Sequence, residues 1–316
     1  MGKPLPQHIN DFLEYCEVEK GHSVNTVKNY FHFLKKFFVW LEKNNLTKLE
    51  PFELTEDHIW KYRIWLSRLP NSTRKTSQGL NTSTQTRYLI ALRTFLGYFH
   101  EKNIPSLPTE KIKLPKEHRE KQIKFLDLDQ LKKLLAAPDN KMLSGLRDRA
   151  ILETLFSTGL RVAELVALDR KHLEGAKNKE DFEMSVTGKG GYPRTIYFSR
   201  RALDAIKKYL GERGEDDEVA LFVRLKGPTS DSRRLTTRTV ELVVQKYAKQ
   251  SGIPLLATPH TLRHSFATDL LNQGVDLRNV QEFLGHRNIA TTQVYTHVTN
   301  KRLRDIHRKF HGGKDL

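Results

Sequence analysis

The chain has 316 residues, 38% apolar and 29% charged, with 54 Lys and Arg against 37 Asp and Glu and a formal net charge of +17. That length suffices for two compact domains, each with its own core. No apolar run approaches the roughly 18 residues of a membrane helix, and the single cysteine, Cys16, excludes a disulfide framework and a cysteine-based zinc site. The positive excess is spread along the chain, +4 in residues 1–110, +4 in 111–124 and +9 in 125–316, which points to a polyanionic partner, nucleic acid first. The opening stretch MGKPLPQHINDF lacks the apolar segment of a secretory signal, so a cytoplasmic, nucleoid-associated protein with no membrane contact is expected.

Four helical patterns come first. Residues 5–19 carry a weak one. Residues 23–44 follow the N-cap Ser23 with Val24, Val27, Phe31, Leu34, Phe38 and Leu41 three or four apart. Residues 55–68 start at Thr55 and align Ile59, Tyr62 and Leu66, and residues 82–101 align Tyr88, Leu92, Phe95 and Phe99. Together they predict a small all-helical domain over residues 1–104. Between the third and fourth patterns, NSTRKTSQGLNTSTQ is polar and basic, and its Arg74 and Lys75 suit a phosphate backbone. Pro105, Pro108 and Pro115, interspersed with basic residues, then predict an extended linker over 105–124, with Lys121 and Lys124 as further phosphate contacts.

Residues 125–316 form the second region. DLDQLKKLLAAP and SGLRDRAILETLFS read as capped helices, and RVAELVAL follows a turn at Gly159. In EMSVTGKGGYPRTIYFSR the period changes: two β-branched, aromatic stretches flank a glycine-rich turn, the pattern of a hairpin. Helices resume at Arg201, at Thr237, at Pro259 behind Thr258, at Leu277 behind Asp276, and around Thr291. The expected fold is mainly α with a small β-hairpin. In the tail, Leu303, Ile306 and Phe310 mark a short amphipathic helix over 301–310, too short to be stable without a groove for its apolar face.

The chemistry-bearing residues fall in five short pieces of this region. STGLRVAEL sets Arg161 and Glu164 one turn apart, so a carboxylate can orient a guanidinium. VTGKGGYPR puts Lys189 at the hairpin tip. TPHTLRHSFAT places His260 and Arg263 on one face near a helix N-terminus, LGHRN sets His286 just past a helix stopped by Gly285, and QVYTHV supplies Tyr295. Arginines can clamp phosphate oxygens, histidines can move protons, a lysine can protonate a leaving oxygen and a tyrosine can attack phosphorus. Each has a plainer reading: Tyr295 as a surface ring, Arg161 and Glu164 as an ordinary helix pair, Lys189 as one more basic turn residue. His260 and His264 also have zinc-ligand spacing, but the stretch lacks the glutamate of HExxH and a third ligand, so His264 is taken as structural.

The ordered series TGLRVAEL, GKG, PHTLRHSFAT, LGH and a tyrosine nine residues beyond that histidine resembles the tyrosine recombinases, most closely the Xer type. The resemblance implies a C-shaped DNA clamp with an N-terminal helical core-binding domain and a C-terminal α+β catalytic domain. It implies Tyr295 as nucleophile, Arg161 and Arg263 as phosphate clamp, Lys189 as general acid, His260 and His286 completing the site, and Glu164 in support. It further implies strand exchange without metal, cofactor or ATP, through a 3′-phosphotyrosyl link. The implied partners are double-stranded DNA with a short inverted-repeat site, a homo- or hetero-tetramer joined by exchanged C-terminal helices, and a septal DNA translocase as activator. Chromosome or plasmid dimer resolution is the task this points to; mobile-element integration and relaxation of the type IB topoisomerase kind are the alternatives.

Overall fold

Helix starts in this chain are written in side-chain caps. Ser23, Thr55, Asp127, Ser199, Thr236, Thr258 and Asp276 each accept a hydrogen bond from a backbone amide two or three residues on, and a helix begins directly after each. Such a cap contributes about 1 kcal/mol by satisfying an amide the helix leaves open. The computed structural model describes residues 2–70, 79–115, 124–176, 181–188, 191–228, 232–253, 257–286, 288 and 290–293. The chain divides into two compact units, Met1–Glu120 and Lys121–Leu316.

The first unit holds α1 (Ile9–Val18), α2 (Val24–Lys43), α3 (Glu56–Arg68) and α4 (Thr82–Glu101). Their shared core is aromatic: Phe12, Phe37, Tyr62, Phe95 and Phe99 are fully buried, with Phe95 and Phe99 ring centroids 4.6 Å apart. On α2 the buried stripe is not quite the one the spacing suggests. It runs through Val27, Tyr30, Leu34, Phe37 and Leu41, which leaves Phe31 off the stripe and 45% exposed. The proline-rich stretch after α4 is also not a free linker at its start. Leu107 and Leu114 pack on this core and Ile112 is buried in it, because apolar residues alternate with the prolines.

The second unit is built around α6 (Leu143–Thr158), which is buried on nearly every side and starts behind Met142 without a side-chain cap. Around it lie α5 (Leu128–Ala136), α7 (Val162–Val166), α8 (Arg200–Arg213), α9 (Thr237–Gln250) and α10 (Pro259–Gln273), followed by α11 (Leu277–Leu284) and the short α12 (Ala290–Gln293). The two carboxylates that α6 buries are paired. Asp148 accepts from Arg147 at 2.6 Å and from the Tyr247 hydroxyl at 3.0 Å, and Glu153 accepts from Arg201 at 2.8 Å. Strands β1 (Phe182–Thr187) and β2 (Pro193–Phe198) form the expected antiparallel hairpin, in register Phe182 with Phe198 and Val186 with Arg194. With side chains alternating faces, Arg194, Ile196 and Phe198 share the inward face of β2, Ile196 and Phe198 within the core. Among the described residues no helix is long and apolar enough to cross a membrane.

Candidate active site

Three chain reversals bring the chemistry together. Gly159 ends α6 in the left-handed region at φ +59°, so the chain turns at once into Leu160 and Arg161, the residue that caps α7. Gly285 ends α11 in the same way at φ +60° and hands the chain to His286. The hairpin supplies the third, its turn closed by the Gly188 amide on the Tyr192 carbonyl at 2.9 Å.

Glu164, the third residue of α7, is the hub. Its carboxylate accepts from the Arg161 amide at 2.8 Å and the Arg161 Nη1 at 2.9 Å. Arg194 grips the same carboxylate with both arms of its fork, Nη1 to Oε1 at 2.9 Å and Nη2 to Oε2 at 2.6 Å. Burial alone would raise the pKa of Glu164, but the hydrogen bonds and charges of Arg194 and Arg161 outweigh it and hold the carboxyl at about 2. Arg161 also donates from Nη2 to the Gly285 carbonyl at 3.1 Å, which ties α7 to the end of α11, and about a quarter of its side chain remains exposed. A carboxylate fixing this guanidinium is what the sequence spacing predicts.

Arg263, on the second turn of α10, is buried and donates to the carbonyls of Gly159, at 2.5 Å, and Leu284. Arg161 and Arg263 are thereby anchored to the same α11 terminus. His286 lies beside them, with Nδ1 3.0 Å from the Thr292 hydroxyl and its carbonyl accepting from Gln281 at 2.8 Å. Burial, then the charges of Arg263 and Arg161, draw its pKa down to about 4. His260, at the exposed start of α10, has its pKa lowered by desolvation and by the same two arginines. His264, half-buried one turn further along, is brought to about 4 by burial, His260 and Arg263. All three imidazoles are therefore neutral at pH 7.

Arg161, Glu164, His260, Arg263 and His286 are thus gathered into one cationic cluster. Lys189, Tyr295, Arg74, Lys75 and Lys121 lie outside the described residues, as does the expected helix over 301–310. Lys124 is described; it is exposed ahead of α5 and takes no part in the contacts that define the cluster. The residue that sequence reasoning missed is Arg194. Its signal was present: in PRTIYF an arginine occupies the inward position of an otherwise apolar stripe, and such a residue needs a buried partner.

Residues 124–302 match the phage integrase family, and residues 9–103 match its N-terminal SAM-like domain. Tyrosine recombinase XerC of Pelotomaculum thermopropionicum is 38% identical, over 96% of this chain and 97% of its own length. Tyrosine recombinase XerD of Listeria innocua is 37% identical over 96% and 98%. Among solved structures, XerH site-specific recombinase bound to palindromic difH substrate in a post-cleavage complex aligns with a TM-score of 0.70. That alignment covers 95% of this chain and 84% of that one at 23% identity, a likeness of fold. The chain belongs to the phage integrase family, the tyrosine recombinases, enzymes that cut and rejoin DNA with a tyrosine nucleophile. Within that family it is Xer-like, and its reaction is site-specific recombination.

Proposed function

We propose that the protein binds double-stranded DNA at a short inverted-repeat site and exchanges strands there to resolve chromosome or plasmid dimers. The observation that carries the assignment of roles is the convergence of Arg161 and Arg263 on one helix terminus beside two neutral histidines. Two guanidiniums so held can take the non-bridging oxygens of a phosphodiester and neutralise the charge that grows in the transition state. His260, neutral at pH 7, accepts the phenolic proton as the Tyr295 oxygen attacks phosphorus. His286 donates to a phosphate oxygen. Lys189 protonates the departing 5′-oxygen, leaving a 3′-phosphotyrosyl link and a free 5′-hydroxyl. The partner strand's 5′-hydroxyl then attacks that link, the proton returns to the phenol, and one phosphodiester replaces another without ATP or a metal.

In this reading residues 1–104 form a core-binding domain, residues 105–124 connect it to the catalytic domain over 125–316, and Arg74, Lys75, Lys121 and Lys124 touch the phosphate backbone. Four protomers assemble on two sites through exchanged C-terminal helices, in the cytoplasm on the nucleoid, with a septal DNA translocase as activator. The test is a suicide substrate nicked beside the scissile phosphate. Wild type should form a covalent adduct that survives SDS; Tyr295→Phe should form none while binding DNA almost unchanged, since one hydroxyl adds little to many phosphate contacts. An adduct from the Phe variant would remove Tyr295 from the role.

A further inference from the structure

Arg194 is not among the residues assigned above, yet each of its contacts reaches something adjacent to one that is. Its guanidinium holds both oxygens of Glu164, the carboxylate that orients Arg161. Its Nε donates at 3.2 Å to the carbonyl of Phe283, within the last turn of α11. Its Cδ lies where a Cβ on Gly285 would come within 2.7 Å, so the left-handed glycine that precedes His286 is seated against the arginine's stem. At Gly188 a Cβ would stand 3.3–3.4 Å from the Arg194 Nη1, the Arg161 Nη1 and the Glu164 Oε1, so the hairpin backbone closes over all three groups. The side chain is only 7% exposed, so it does not itself face a substrate.

We propose that Arg194 is a positioning residue for strand cleavage: it locks Glu164, and so Arg161, to the hairpin and to the turn that carries His286. The inference rests on the reading of Arg161 as a phosphate clamp. A guanidinium that loses its tether can still attract a phosphate, but it no longer meets the transition state in one fixed geometry. Misplacement of that kind costs about 100-fold in rate. Lysine cannot substitute, because the contact is a fork on two oxygens with a third donor on a carbonyl.

The test measures cleavage of the nicked substrate by Arg194→Lys and by Arg194→Met/Glu164→Gln. The double variant removes both buried charges together and so avoids leaving one unpaired in the interior. Both variants should bind a half-site within about threefold of wild type, since binding is set by many phosphate contacts. Both should cleave about 100-fold more slowly. Arg194→Met alone leaves Glu164 buried without its fork, with Arg161 as its remaining cationic partner among the described residues. Its carboxyl then takes up a proton at a higher pH, and cleavage gains a second acid limb, from Glu164, on top of the one that protonation of His260 gives both proteins. A residue that only stabilised the fold would not produce that limb. If Arg194 acts through Arg161, adding Arg194→Met to Arg161→Ala should leave cleavage within about threefold of Arg161→Ala alone. Losses that multiply, or near-normal cleavage by the folded double variant, would overturn the proposal. Normal cleavage by Arg161→Ala would refute the clamp reading itself and transmission through Arg161 with it.

Discussion

Replacing Glu164 by Gln removes a buried charge while keeping the side chain's shape. Burial raises the carboxyl pKa, but hydrogen bonds and charge from Arg194 and Arg161 bring it to about 2, against an ordinary value of 4.5. At about 1.4 kcal/mol for each tenfold change in proton affinity, that difference corresponds to roughly 3 kcal/mol of folding stability at pH 7. The folded-state pKa is the lower of the two, so the stabilisation is complete above 4.5 and is lost as pH falls through about 2. Gln still accepts through one oxygen, which offsets part of the cost of leaving the Arg194 guanidinium buried without its counter-charge. For a unit of this size, 1 kcal/mol moves the thermal midpoint by about 2–4 °C, so Glu164→Gln should melt roughly 6–12 °C lower at pH 7. Denaturant titrations of both proteins should show the gap narrowing by roughly 2 kcal/mol between pH 5 and pH 3 as the wild-type carboxylate loses its advantage. A gap that is constant across that range, or a midpoint shift under about 1 °C at pH 7, would refute the inference that charge pairing holds this hub.

Arg263→Lys keeps the charge but cannot reach two backbone carbonyls and a phosphate at once, so adduct formation on nicked DNA should fall at least about 100-fold with little loss of binding. Near-normal cleavage would reduce Arg263 to a backbone anchor. Lys189→Ala should be impaired on ordinary DNA and restored by a 5′-bridging phosphorothiolate, whose thiolate leaves without a proton; equal defects on both substrates would exclude Lys189 as general acid. Removing residues 302–316 should spare binding to one half-site but abolish cooperative filling of two and depress cleavage. In a gel-shift titration, wild-type cooperativity from a folded truncation would refute helix exchange.

The helices were legible because local chemistry announces them. Ser23, Thr55, Asp127, Thr258 and Asp276 cap helices through their own side chains, and no tertiary information is needed to place those starts. Burial was less legible where a helix is apolar over more than one face: Phe31 follows Tyr30 by a single residue, and only the neighbouring helices decide which ring faces inward. Arg161 and Glu164 could be paired from spacing because they share one turn. Arg194 could not be joined to them, since the contact spans 30 residues and depends on how the hairpin folds back. The anchoring of Arg263 was hidden for a further reason. Its described partners include backbone carbonyls, at Gly159 and Leu284, and a carbonyl looks the same in every residue.

Those carbonyls give the two arginines different kinds of support. Gly159 follows the last turn of α6 and Leu284 ends α11, so Arg263 donates to two helix C-termini, each carrying about half a unit of negative charge from aligned peptide dipoles. Peptide dipoles do not titrate. Arg161 has one such carbonyl, at Gly285, but its other support is a carboxylate, which takes up a proton near pH 2 in the intact site and at higher pH wherever its surroundings loosen. One side of the cluster is therefore seated on dipoles, and the other in part on the ionisation of a single group. Acid, or any movement of the hairpin that weakens the hold on Glu164, would release Arg161 first while Arg263 stays in place.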